Sequence, residues 1–159
     1  MTTIRAFEVD DLSEVVDLSL RAWAPVFTSL RGQLGDPIFF RLHPDWEAGQ
    51  AEAVRSTCTS GELDVFVAID GPPVGFVAIA LNAYHPLMGA VEMIAVDPAH
   101  QRRGVARELM VAAAEHMRRN GMDVAVVETG GDPGHAPARR TYESTGYTLL
   151  PIARYFRLL

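Results

Sequence analysis

Three features of this sequence predict an α/β fold, α+β under a stricter naming, with a central mixed β-sheet flanked by helices. The first is a hairpin signal. Two β-rich runs, "LDVFVAI" and "VGFVAIAL", flank "DGPP", with Asp70-Gly71 at the turn. The second is one strong amphipathic helix, "RGVARELMVAAAEHMRRN", with Val105, Leu109, Ala112, Ala113 and His116 on one face. Asn120-Gly121 supplies its stop. The third is the pair of apolar runs around that helix, "AVEMIAV" before it and "DVAVVET" after it. A strand, a helix and a strand in that order make a right-handed crossover. The uniformly apolar second run reads as a buried strand of parallel type.

The remaining elements follow in chain order. "TIRAF" reads as a first strand. In "EVDDLSEVVDLSLRAWAPVF" the residues Leu12, Val15, Val16, Ser19 and Trp23 share a helical face behind a capping Asp10 or Asp11. Pro25 is expected to end or kink that helix, because it removes a donor and crowds the preceding turn. "TSLRGQLGDPIFFRLHP" is read as irregular from its turn residues. "DWEAGQAEAVRSTC" is a second helix with Asp45 as its cap. After the crossover, "APARRTYESTG" reads as a short helix, and "YTLL" and "RYFRLL" as closing strands. Residues 1–159 are expected to form one domain around this sheet.

Composition narrows the partners. The chain is 48% hydrophobic and 21% charged, in the globular range. A net charge of −6 disfavours nucleic acid and anionic membrane surfaces, which need basic faces, and tolerates a cationic substrate. "MTTIRAFEVDDLSEVV" has no apolar secretory core, and no run approaches the length of a membrane span. The single cysteine, Cys58, forms no internal disulfide, and the expected compartment is cytoplasmic. A homodimer is a candidate assembly. The five histidines lack HxxxH or HExxH spacing, so no metal site is expected.

"AHQRRGVARELM" contains a local conflict. Arg102 and Arg103 stand where a helix begins, at the positive end of its dipole, where acidic residues are favoured. A bound anion resolves the conflict: first-turn amides and two guanidinium groups converge on a phosphate, and Gly104 and the small Ala106 keep the turn open. The alternative is a solvated loop with two exposed arginines. Neither GxxxxGK[ST] nor GxGxxG is present.

"AVDPAHQRRGVARELM" resembles the acyl-CoA-binding segment of the GCN5-related N-acetyltransferases, whose pattern Gln101, Gly104 and Ala106 fill after a strand and before a helix. "APARRTYESTGY" resembles the family's later helix through Ala138, Tyr142, Glu143, Gly146 and Tyr147. The resemblance implies acetyl-CoA as cosubstrate and direct transfer of its acetyl group to an amine in a ternary complex. It implies that Gln101, Arg102, Arg103, Gly104, Val105, Ala106 and Arg107 hold the pyrophosphate. Pantetheine is expected in a splayed gap between the strands at 91–96 and 123–128, paired with backbone of Met93, Ile94, Ala95 and Val96. One amide there would polarise the thioester carbonyl. Where the family often has Asn, this chain has His135, three residues before Ala138; both are expected on the cofactor side, with the acceptor side open to His135.

Transfer to an ammonium needs a base, and the departing thiolate gains from an acid. By resemblance Glu92 is the base, commonly through water, and Tyr142 the acid. Alternation in "AVEMIAV" suggests that Glu92 is buried enough to titrate high, or else is a carboxylate paired on the open face. Tyr142 is otherwise a packed aromatic. Tyr84 and His85 lie in a loop that reads as substrate-facing. Asp132, with His135, lies in "GGDPGH", which also reads as a packed turn. Trp23 and Phe27 line either the acceptor pocket or the core. The acceptor is expected to be a primary amine of a small molecule or a protein. A non-catalytic acyl-CoA-binding module is the alternative function, and it would need neither Glu92 nor Tyr142.

Overall fold

The computed structural model describes residues 2–159. In chain order the elements are β1 (Thr3–Ala6), α1 (Leu12–Leu34), α2 (Asp36–Leu42), α3 (Trp46–Thr59), β2 (Asp64–Ile69), β3 (Pro73–Ala80), β4 (Met88–Val96), α4 (Val105–Arg119), β5 (Val124–Val127) and α5 (Ala136–Ser144). The strands form one open sheet in the order β1-β2-β3-β4-β5. The first four pair antiparallel, and β5 joins β4 in parallel. This is the mixed sheet that the hairpin and the crossover predict.

Each face of the sheet carries its own core. On one face Val15, Leu18 and Val54 from α1 and α3 pack over Val65, Val67, Phe76 and Ala78. On the other, Val105, Leu109, Met110 and Ala113 of α4 cover Ala68, Val77 and Ile79. The alternation of Phe76 and Ala78 with Val77 and Ile79 sends one set to each core, as a strand period of two requires. Central β3 is therefore buried on both faces. Fully burying Phe76, Val77 or Ile79 contributes about 1.5–3 kcal/mol each. No described helix is long and apolar enough to cross a membrane.

The hairpin turn, the Asp45 cap (Ala48 N to Asp45 Oδ1, 3.0 Å) and the extent of α4 follow the sequence reading. Four expectations are corrected. First, of the two outcomes expected at Pro25, an end or a kink, the end does not occur: α1 runs through it to Leu34. The Pro25 ring is on the exposed side, while Trp23, Phe27 and the turns around them pack inward, so tertiary contacts carry the helix past the lost donor. Second, the stretch read as irregular completes α1 and then forms α2, which starts with Pro37 in its first turn and buries Phe39. Third, β5 is a half-exposed edge strand, not a buried one, with Val124 54% exposed. Fourth, "YTLL" and "RYFRLL" form no strand, since no ladder reaches them from β5. Asp11 also differs from a simple cap: its carboxylate takes two bonds from Arg5 (2.7 and 2.8 Å) and one from the Glu8 amide.

Candidate active site

The pairing of β4 with β5 runs from Met88–Val124 to Val91–Val127 and stops. β4 continues to Val96 with β3 on one side and no strand on the other. At the same level β4 bulges: Val91 pairs with Ile79 and Met93 with Ala78, leaving Glu92 between them. A bulge bends its strand and re-aims the extra residue. The sheet thus opens where the sequence led us to expect a gap.

A cleft of about 200 Å³ lies at this opening, lined by Tyr84, Ala90, Val91, Glu92, Val126 and Glu128. Glu92 is exposed at the cleft; the burial expected of it is absent. Tyr84, 65% exposed, comes from the β3–β4 loop, which Asn82 folds by accepting the Leu87 amide (3.1 Å). The negative charge of Glu92, some burial and then Glu128 push the Tyr84 phenol above its ordinary value. Glu92 and Glu128 therefore act on the same volume. Sequence reasoning missed Glu128, although it directly follows a parallel strand, and clefts in such sheets open at the carboxyl ends of strands. His85 is exposed beside Tyr84, with its ring on the Pro86 carbonyl.

The loop from β4 to α4 is held from below. Gln101 Nε2 donates to the Val96 carbonyl (3.1 Å), so this side chain braces the turn. Asp97 accepts from the Ala99 amide (2.9 Å) and from Arg21 of α1, which also holds Glu14. Above that brace the turn is unsatisfied. Arg102 adopts φ 60°, rare for a residue with a side chain, and Gly104 follows at φ 88° as the N-cap of α4. Among the described residues nothing accepts the amides of residues 102–107. Arg102 and Arg103 are exposed and pair with no described carboxylate. Left-handed turns followed by a helix start make a concave cluster of amides suited to an anion. Arg107 instead donates to the Ser144 carbonyl (3.2 Å), tying α4 to the end of α5.

The side chains of Ala95, Val96 and Val105 are buried in the two cores, and Ala106 and Ala138 pack against them. Those positions, with half-buried Met93 and Ile94, offer a ligand backbone more than side chain. Tyr142 is only 9% exposed, in the core under α4, with its ring 6.3 Å from that of Tyr147. Burial, and then the neighbouring Tyr147, push its phenol up to about 12. It is a protonated donor across the neutral range.

Trp23, Phe27 and Asp132, each read as either an acceptor contact or a packing residue, make packing contacts within the fold. Trp23 meets Phe76 of the core edge-on at 6.3 Å, and Phe27 stacks on Trp46 at 4.6 Å, joining α1 to the start of α3. Asp132 is consumed by the turn: it accepts from Ser29 (2.6 Å) and Gly134 N (3.1 Å) and pairs with His135 Nδ1. Burial opposes its ionisation, but the Ser29 and His135 bonds outweigh this and hold its carboxyl below the usual range. Arg139 adds bonds to the carbonyls of Gly130 (2.6 Å) and Asp132 (2.9 Å). The packed-turn reading of "GGDPGH" is the one this geometry supports.

The frame of the site is thus an open mixed sheet that splays at a bulge beside an unsatisfied loop-to-helix turn. The chain belongs to the acetyltransferase (GNAT) family, whose model matches residues 26–147. It is 32% identical over 114 residues to a mycothiol acetyltransferase of Thermomonospora curvata, covering 69% of this chain and 37% of that protein. It is 29% identical over 121 residues to the streptothricin acetyltransferase of Streptomyces lavendulae, covering 75% of this chain and 62% of that one. The chain therefore spans less than two thirds of these relatives. Among solved structures, AAC(6')-Iy in complex with a CoA bisubstrate analogue superposes with a TM-score of 0.69 at 19% identity, covering 100% of this chain and 99% of the other. That likeness establishes the shared fold.

Proposed function

We propose that this protein is an acyl-CoA-dependent N-acetyltransferase that moves the acetyl group of acetyl-CoA to a primary amine by direct transfer in a ternary complex. One observation carries the reading. The opening beside β4 joins an unsatisfied amide turn with two free arginines at one end to two carboxylates and a phenol at the other. The cationic end suits a pyrophosphate and the acidic end an alkyl ammonium. The unpaired amides of residues 102–107 support the fit to CoA, with Arg102 and Arg103 adding charge and Met93 to Val96 offering strand backbone to the pantetheine arm.

In this scheme Glu92, directly or through water, takes a proton from the ammonium. The neutral amine nitrogen then attacks the thioester carbonyl: the C–N bond forms, the extra proton on that nitrogen passes to solvent water, and the C–S bond breaks. Tyr142 gives its proton to the departing thiolate and is restored from solvent. Glu128 and Tyr84 complete the acceptor side: Glu128 supplies a second negative charge near the amine, and Tyr84 an aromatic edge. The carboxylate pair favours acceptors with more than one cationic nitrogen. The names of two relatives, a mycothiol and a streptothricin acetyltransferase, support a small molecule as the acceptor.

The test combines calorimetry with an amine panel. Arg102→Glu with Arg103→Glu is expected to weaken acetyl-CoA binding, each lost charge-assisted contact costing about 1.5–3 kcal/mol, with the fold intact. Wild-type protein is expected to release CoA with polyamines or amino sugars and not with RNA. Unchanged acetyl-CoA affinity in the folded double variant, or turnover with RNA alone, would overturn the reading.

A further inference from the structure

The end of α5 joins two tyrosines by a local rule. Its last turn closes as a Schellman motif: the Tyr147 amide donates to the Tyr142 carbonyl (3.1 Å) and the Gly146 amide to the Glu143 carbonyl (3.2 Å). Gly146 supplies the left-handed step at φ 97°. In this motif the residue after the glycine folds back on the one five positions before it, and an apolar contact between the two accompanies the bonds. Here that pair is Tyr147 and Tyr142, with ring centroids 6.3 Å apart and planes at 57°. Both rings join the core under α4. Packing accounts for the Tyr147 ring, and a phenylalanine would serve it equally well.

Packing does not account for the hydroxyl. Tyr147 Oη is shut off from solvent, and no group among the described residues bonds it. Burial pushes its phenol up, so it keeps its proton across the neutral range. A buried donor without an acceptor costs free energy, and native folds hold few of them. The two phenols do not bond each other at rest, when the Tyr142 oxygen is neutral and a weak acceptor. Loss of the Tyr142 proton makes that oxygen an anion, and hydrogen bonds to anions are shorter and about twice as strong. An acceptor that exists only while the proton is away favours the transition state over the ground state.

We propose that Tyr147 is a positioning residue for the acid: its O–H turns onto the Tyr142 oxygen as that group gives up its proton, and holds the phenolate until the proton is restored. The inference rests on the reading of Tyr142 as the group that protonates the departing thiolate. In that step the Tyr142 O–H bond breaks, the proton goes to the thiolate sulfur and the negative charge moves to the Tyr142 oxygen. Tyr147 keeps its own proton and shares it in a hydrogen bond. Once Tyr147 itself ionises at high pH, the sign reverses. It is then an anion that opposes ionisation of Tyr142, the sense in which it raises the Tyr142 phenol.

Tyr147→Phe, Tyr142→Phe and the pair test this, each change removing one oxygen and keeping the ring. Tyr147→Phe is expected to raise Tm, because it deletes an unsatisfied buried hydroxyl, and to lower kcat by about 10-fold with acetyl-CoA affinity unchanged. A residue that only packs would not slow the reaction while stabilising the fold. In the pair, loss of the Tyr147 oxygen is expected to cost nothing beyond Tyr142→Phe, since no phenolate forms there. The rate is read as single-turnover CoA release with the best amine of the polyamine and amino-sugar panel. Wild-type kcat in Tyr147→Phe beside a slowed Tyr142→Phe overturns the inference and leaves the acid in place. So does a lowered Tm, which would mean that the hydroxyl has a partner, or a loss that persists in the Tyr142→Phe background. Wild-type kcat in Tyr142→Phe removes the acid itself, and this inference with it.

Discussion

Tyr142 and Tyr147 show how one residue type divides its work by environment. Tyr142 is buried, with its phenol pushed up to about 12 by burial and by Tyr147. If it protonates the thiolate, Tyr142→Phe is expected to lower kcat by about 10²-fold, the low end for general acid catalysis because a thiolate is already a fair leaving group. Acetyl-CoA affinity should hardly change. A group whose folded value is raised stays in its protonated form until pH approaches that value. The alkaline loss of rate due to Tyr142 therefore belongs near pH 12, not near the ordinary phenol value of 10.0. A pH–rate profile under chemistry-limited conditions checks this; a Phe variant with wild-type kcat would make Tyr142 a packing residue. Resemblance to a family motif pointed to Tyr142 and Glu92, whereas the only sign of Glu128 was its place at the carboxyl end of a parallel strand. Nothing in "DVAVVET" distinguishes a carboxylate at a cleft from one on a solvated loop; only the parting of β4 from β5 does.

At the scale of elements, the local signals that proved legible were those whose physics is short-ranged. The Asp70-Gly71 turn, the Asp45 cap and the apolar face of α4 each depend on residues a few positions apart. The continuation of α1 past Pro25, and α2 after it, depend on contacts from distant parts of the chain, such as Ser29 with Asp132 and Phe27 with Trp46. The packing of α4 on β4 gives a direct test. A Cβ at Gly89 would stand 2.7 Å from Cγ and Sδ of Met117, which is itself buried. Gly89→Ala is thus expected to destabilise the fold by about 1–3 kcal/mol through overpacking. The loss in Gly89→Ala with Met117→Ala should be smaller than the sum of the two single losses, by chemical denaturation, because the two changes share one space. Losses that simply add would place the crowding elsewhere.

For the whole molecule, acid is the expected weak point. Asp11 is held below 3.8 by its bonds from Arg5, against burial. Burial raises Asp97 and Asp132, but bonds from the Ala99 amide and Arg21, and from Ser29 and His135, outweigh it and leave both low. Carboxyls depressed in the folded state stabilise it above their unfolded value, and that stability is lost as pH falls through the folded values. Tm should be nearly level from pH 5 to 7 and fall below about 4. Asp11→Asn should lower Tm at pH 7 and flatten the acid decline; an unchanged decline would assign it to other carboxyls. These three residues tie β1, α1 and the turns around the site together, so the molecule should loosen first near its working face. The parting of β4 and β5 has a consequence of its own. It is a wedge, wide toward Val96 and shut where Val91 meets Val127. In the proposed reading, a guest entering from the wide end would travel only as far as that last rung, and its length would decide which of its atoms comes to rest beside Glu92.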